Sequence, residues 1–198
     1  VDNSYDAAGG THADSYFLVR VGDGAAGADV TTTINVDMVQ NSTADGAIRL
    51  VKTDPGRLIL NGDNQYSGGT SILNGTLQVS KDSSLGDADT FVMIKNGATF
   101  QTGADYTTER LFILDGEAGG TFDVYGNTFT SEGGIGGDGG LNVVDTSTGT
   151  DEGILALNVA NTYEGDTTIT GKNGTGALTV NANVTGALGN AQSNVSLT

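Results

Sequence analysis

LILNGDNQYSGGTSI, Leu58 to Ile72, and LALNVANTYEGDTTI, Leu155 to Ile169, align without a gap. Eight of the fifteen positions are identical: Leu58, Leu60, Asn61, Asn64, Tyr66, Gly68, Thr70 and Ile72 in the first copy. Seven of those eight carry even numbers, so an extended chain would put them on one face, because successive side chains of a strand point to opposite sides. A face shared between copies is what stacked repeats bury, and the pair therefore points to a solenoid.

Working outward, the likeness persists for several strands. Leu77-Gln78-Val79 answers to Leu178-Thr179-Val180, Leu85-Gly86-Asp87-Ala88 to Leu188-Gly189-Asn190-Ala191, and Val92-Met93-Ile94 to Val195-Ser196-Leu197. The offset between copies grows from 97 to 103 residues through insertions near Gly171 to Gly176. A solenoid tolerates insertions in turn-rich stretches, since a loop can bulge outward without moving the next strand. The repeats span about residues 56–101 and 153–198.

Other short period-2 segments punctuate the chain. Ile34-Asn35-Val36-Asp37-Met38, Phe91 to Ile94, Leu111 to Leu114, Thr121 to Val124 and Leu141 to Val144 each read as a strand, with Gly, Asn, Asp or Ser between them. One helical turn is expected, around Asp82 to Ala88. The fold class is all-β. With 32 Gly, one Pro and no Cys, the chain turns often and has neither a collagen period nor disulfides. Eight Lys and Arg against 24 Asp and Glu give a formal charge of −16, which repels phosphate backbones and anionic lipids alike. Nucleic acid is therefore excluded as a partner, as is direct membrane insertion, for which no apolar run is long enough. Val1 is followed by polar residues rather than by a signal peptide, and the chain reads as a fragment of something longer.

Gly56 to Ala88, GRLILNGDNQYSGGTSILNGTLQVSKDSSLGDA, resembles the passenger-associated transport repeat of bacterial autotransporters. The features in common are the Asn-x-Tyr-x-Gly-Gly-Thr turn and strand and the Gly-Thr-Leu-x-Val strand after it. The second copy departs from that pattern at Asp166 and in the spacing from Gly174 to Val180, and Gly119 to Leu141 is similar to passenger sequence leading into such a repeat. The resemblance implies a right-handed parallel β-helix exported across the outer membrane of a Gram-negative bacterium, with a C-terminal outer-membrane barrel elsewhere in the parent. At about 20–25 residues per coil it would form roughly eight to nine rungs, a rod about 40 Å long. Residues 1–30 are expected to be irregular or loop-rich and residues 31–198 helical in the β sense.

Candidate chemistry is thin. Gly133 to Leu141, GGIGGDGGL, nearly matches a calcium-binding nonapeptide, but it stands alone and Gly140 occupies a position that should be apolar. It reads as a turn. Asp115 with Glu117 and Asp151 with Glu152 are the nearest carboxylate pairs for acid–base work, yet each lies beside Gly-rich turns where solvated acids are ordinary. Arg20, Arg49, Arg57 and Arg110 are dispersed, and His12 is the single histidine, in a polar stretch. The Asn-x-Ser/Thr triplets at Asn41, Asn74, Asn173, Asn183 and Asn194 arise from composition. Asn64 and Asn161 differ because they recur before Tyr66 and Tyr163. The Asn residues are expected to form corners, through a left-handed turn or bonds to nearby backbone, with the Tyr hydroxyls reaching solvent or backbone.

No catalytic, cofactor-binding or metal-ligating residue is assigned, and no cofactor is expected. The expected function is a structural stalk that supports export by folding rung by rung and takes part in surface adhesion or aggregation. Its partners would be a host surface protein or glycan, or another cell's copy. Two alternatives stand beside it: a spacer following the catalytic domain of an autotransported protease or other hydrolase, and a polysaccharide-processing β-helix.

Overall fold

The computed structural model describes residues 15–22, 27–40, 46–172, 175–190 and 194–197. In chain order the first strands are β1 (Ser15–Arg20), β2 (Thr31–Ile34), β3 (Ile48–Thr53), β4 (Arg57–Leu60), β5 (Thr70–Ile72) and β6 (Thr76–Val79). A 3-10 turn (Asp82–Leu85), at the site of the expected helical turn, precedes β7 (Val92–Lys95), β8 (Thr99–Thr102), β9 (Tyr106–Thr108), β10 (Phe112–Asp115), β11 (Gly120–Asp123) and β12 (Thr128–Ser131). The last are β13 (Ile135–Gly136), β14 (Leu141–Val144), β15 (Gly153–Leu157), β16 (Thr167–Ile169), β17 (Leu178–Ala182) and β18 (Val195–Leu197).

Every strand pairing is parallel, and three sheets result: β1-β3-β5-β7-β10-β13, β18-β16-β14-β11-β8-β6-β4-β2 and β17-β15-β12-β9. This is a parallel β-solenoid. Six turns place a strand in the first sheet and eight in the second, slightly short of the eight to nine full rungs expected, because the end coils do not close on every side. Paired residues down the second sheet, Leu58, Leu77, Phe100, Phe122 and Val143, step by 19, 23, 22 and 21 residues.

Stacking of like on like fills the core. Leu58 lies on Leu77, Leu60 on Val79 and Ile72 on Ile94, and all six side chains are fully buried. In the middle coils, where all three sheets carry strands, Phe100, Phe112, Phe122 and Phe129 meet with ring centroids 5.0–5.8 Å apart, mostly edge to face. Edge-to-face contact suits the ring quadrupole and adds to area burial.

The two repeat copies do not lie on the same sides of the prism. In the first, β4 and β6 belong to the eight-stranded sheet and β5 and β7 to the six-stranded one; their counterparts β15 and β17 belong to the four-stranded sheet and β16 and β18 to the eight-stranded one. The motif is thus rotated by one side of three. Val143 lies four coils above Leu58, and the equivalent of Leu58, Leu155, comes one side later. The side without strands turns with the motif, from the third side at residues 61–69 to the first side at residues 158–166.

One expected strand is absent. β2 ends at Ile34, and Asn35 to Met38 cross the strandless side in spite of their alternating pattern. There Asn61 Nδ2 donates to Asn35 Oδ1 and Asp63 N to Asp37 Oδ1. Short polar side chains have taken over part of the work of a backbone ladder.

Candidate functional site

The recurring polar residues form one device, built twice. Asn64 Oδ1 accepts from Met38 N, 2.9 Å away in the coil before, and its Nδ2 donates to Ser84 O, 2.6 Å away in the coil after. Asn161 repeats the arrangement, accepting from Ile135 N at 2.7 Å and donating to Ala187 O. Each asparagine stitches three coils together on the side where no strand does so. Neither adopts the left-handed conformation, which among the described non-glycine residues occurs at Asp54, Asn96 and Tyr125.

The tyrosines correct the second half of the expectation. Tyr66 and Tyr163 are fully buried, and their hydroxyls meet Thr70 Oγ1 at 2.7 Å and Thr167 Oγ1 at 2.6 Å instead of solvent or backbone. Burial pushes both hydroxyls above their ordinary range, with the threonine hydrogen bonds opposing it. This accounts for Tyr and Thr recurring four residues apart: the core accepts a phenol where its polar end has a partner. Gly86 and Gly189 complete the motif. Both have φ near +85°, and a Cβ on either would come within 2.6 Å of the Tyr66 or Tyr163 ring.

Buried charge was the part of the interior that the dispersed Arg and Lys residues did not disclose. Arg110, 1% exposed, donates to both carboxylate oxygens of Asp82 and to the carbonyls of Gly86 and Asp87, so it gathers the whole 82–90 loop. Lys52 donates to the carbonyls of Thr53, Asp54 and Asn74, and burial lowers its ammonium to about 8, opposed by Asp54. Lys172 pairs with the buried Asp145 at 3.3 Å, and Asp123 accepts from Gln101 and Thr146 side chains on the neighbouring coils. A signal existed for three of these. Lys52, Arg110 and Asp145 share the numbering parity of inward Leu50, Phe112 and Val143, so a charge stood on an inward position of an otherwise apolar pattern.

The carboxylate pairs are not brought together for catalysis. Asp115 forms a salt bridge with Lys95 at 2.5 Å, and Glu117 is exposed. Glu152 accepts from Thr179 Oγ1, while Asp151 offers its carbonyl to Lys172. Asp138, the acid of the glycine-rich nonapeptide, accepts from Gly116 N in the coil before, and Ile135 of the same stretch is buried in β13. Arg20 pairs with Asp54, Arg49 lies over the Phe91 ring, and Arg57 lies over that of Tyr125. Asn74 Oδ1 accepts from Gly75 N, Asn183 donates to Asn158, and Asn194 donates to Asp166. His12, Asn41 and Asn173 lie outside the described residues.

The arrangement therefore serves stacking: vertical hydrogen bonds, aromatic plugs and buried cations that tie each turn to its neighbours. The family described as Passenger-associated-transport-repeat matches residues 50–79 and 148–171, which hold the Asn, Tyr and Thr of both copies of this device. The chain is 41% identical over 173 residues, 86% of its length, to a protein of Brucella suis biovar 1 (strain 1330) named Adhesin BmaC autotransporter. It spans 4% of that relative's length. No solved structure matches it significantly. Repeat matches that fall on both copies, and a long alignment with an autotransporter, identify this chain as cell-surface or secreted autotransporter passenger sequence built on passenger-associated transport repeats.

Proposed function

We propose that the chain is a stretch of passenger stalk whose repeats let it fold outward coil by coil during export, and which holds surface-contact elements of an adhesin away from the cell. The observation that supports this reading is the twofold occurrence of the Asn–Tyr–Thr–Gly device. Asn64 and Asn161 are satisfied only when the coils on both sides have formed, so a new coil caps the polar groups of the last and gains its own core layer. Such nearest-neighbour closure makes folding progressive and sliding back into the export channel costly. The adhesive role is supported by the name of the Brucella relative, and a barrel in the parent would anchor the rod.

The test is secretion of the parent protein with residues 56–88 deleted, or carrying Asn64→Ala with Asn161→Ala. Surface exposure should slow and export intermediates should accumulate in the periplasm. Undiminished secretion with a normally folded passenger refutes the export role.

A further inference from the structure

The outer face of the six-stranded sheet does not match the rest of this acidic molecule. On β1 and β3 the outward residues are Tyr16, Leu18 and Arg20, then Arg49, Val51 and Thr53. Following the register across the sheet, Leu18 lies beside Val51, Val51 beside Ser71, Ser71 beside Met93, and Met93 beside Ile113. Beyond Ile113 the row ends at Gly136. Ser71 is small, and between Val51 and Met93 it leaves a trough of about 400 Å³. Tyr16, Leu18 and Leu111 on this face are 54%, 60% and 45% exposed. A contiguous apolar stripe of this kind marks an interaction surface in a soluble molecule.

The cations of the face are already engaged: Arg20 by Asp54, Lys95 by Asp115, and Arg49 by the Phe91 ring and Gly68 O. At its corner the balance is different. A cleft of about 660 Å³, with Phe91 and Leu111 in its wall, is also lined by Asp89, Glu109 and Glu132. Glu132 N donates to Thr108 O, which continues the ladder and sets Glu132 beside Glu109 on adjacent coils. Like charges in that position repel. Among the described residues Glu132 accepts from the neutral Asn158, and the neighbouring Arg110 is turned inward to Asp82.

We propose that this face docks an amphipathic basic segment of a partner protein, its apolar side chains lying along Leu18, Val51 and Met93 and its Lys or Arg residues meeting Glu109 and Glu132. The net charge of −16 steers such a partner inward from a distance and works against acidic ones. A second copy would bring the same two acids to the same corner. The chain's own residues 1–14 hold Asp2, Asp6 and Asp14 with no Lys or Arg, and have the wrong charge. The inference rests on the adhesin reading and adds to it the surface and the chemistry of the partner.

The test is calorimetric titration of the 198-residue chain with a synthetic peptide of alternating Lys and Leu, beside one of alternating Glu and Leu. The basic peptide should bind and the acidic one should not. Leu18→Ser with Met93→Ser should weaken binding at least tenfold, and Glu109→Gln with Glu132→Gln about five- to tenfold at low salt. Asp151→Asn with Glu152→Gln removes the same charge elsewhere and should change affinity less than twofold. An equal loss in that control, binding of the acidic peptide, or a dimer of the chain that Leu18→Ser with Met93→Ser dissociates would each overturn the assignment. Bacteria displaying the parent protein separate this proposal from the broader one. Attachment that survives Glu109→Gln with Glu132→Gln but is lost with the passenger refutes the docking face and leaves the adhesin reading standing.

Discussion

Replacing Asn64 by Ala removes the acceptor of Met38 N and the donor to Ser84 O at a site that is 6% exposed. Each backbone group left without a partner in a buried setting costs about 1–3 kcal/mol. Some relaxation toward solvent is available so close to the surface, and we expect a loss of about 2–4 kcal/mol, which lowers the melting temperature of a chain this size by roughly 5–15 °C. Asn161→Ala should cost a similar amount, and the double variant should be additive, because the two sites share no partner. Asn64→Asp is the sharper variant. It keeps the acceptor for Met38 N but sets a carboxylate oxygen against Ser84 O, so it should be at least as destabilising as alanine above pH 5. Urea unfolding followed by circular dichroism measures the free energies, and hydrogen exchange at the Met38 amide reports the local opening. Should Asn64→Ala unfold within 0.5 kcal/mol of the parent chain, or Asn64→Asp match it, the asparagine is not a rung-to-rung clamp and the reasoning fails.

Gly86→Ala forces a Cβ to 2.5 Å from the Tyr66 ring at a φ of +85°, and should destabilise by about 2 kcal/mol or more, read as a shift in the urea midpoint. Arg110→Met takes the guanidinium from the Asp82 carboxylate, which keeps a hydrogen bond from Thr108 Oγ1, and leaves the Gly86 carbonyl without its donor; a loss of about 3–5 kcal/mol and faster proteolysis within residues 82–90 should follow. Tyr66 has its hydroxyl pKa raised above the ordinary 10.0 by burial, so in the folded state it keeps a proton that the unfolded chain releases. Its contribution is complete below pH 10 and is lost as pH rises toward the folded value. Tyr66→Phe should therefore lose stability less steeply than the parent chain above pH 10, and identical slopes would contradict the burial of that phenol.

The repeating unit is legible in the chain alone. Leu58, Leu60, Tyr66, Thr70 and Ile72 could be placed on one buried face because a strand alternates sides at every residue, and that local rule needs no knowledge of the partner strand. Parity also carried a signal for Lys52, Arg110 and Asp145, whose charges stand on inward positions. It gave none for Asp123, which lies between buried Phe122 and Val124. The Ile34 to Met38 pattern shows the limit from the other direction: alternation is compatible with a strand, but Asn35 and Asp37 bond the following coil through their side chains instead.

How the copies are oriented and what they touch follow from packing between coils. The rotation of the second repeat by one side depends on coil lengths of 19–23 residues, which are set by how far each turn bulges before the next strand finds its register. The inward direction of the Tyr66 hydroxyl depends on Thr70 lying across the corner, and the clamps of Asn64 depend on Met38 and Ser84, 26 and 20 residues away. The apolar stripe from Leu18 to Ile113 likewise spans five coils. Contacts between coils are non-local, and a strand's own sequence fixes which of its faces is apolar without fixing which neighbours complete that face.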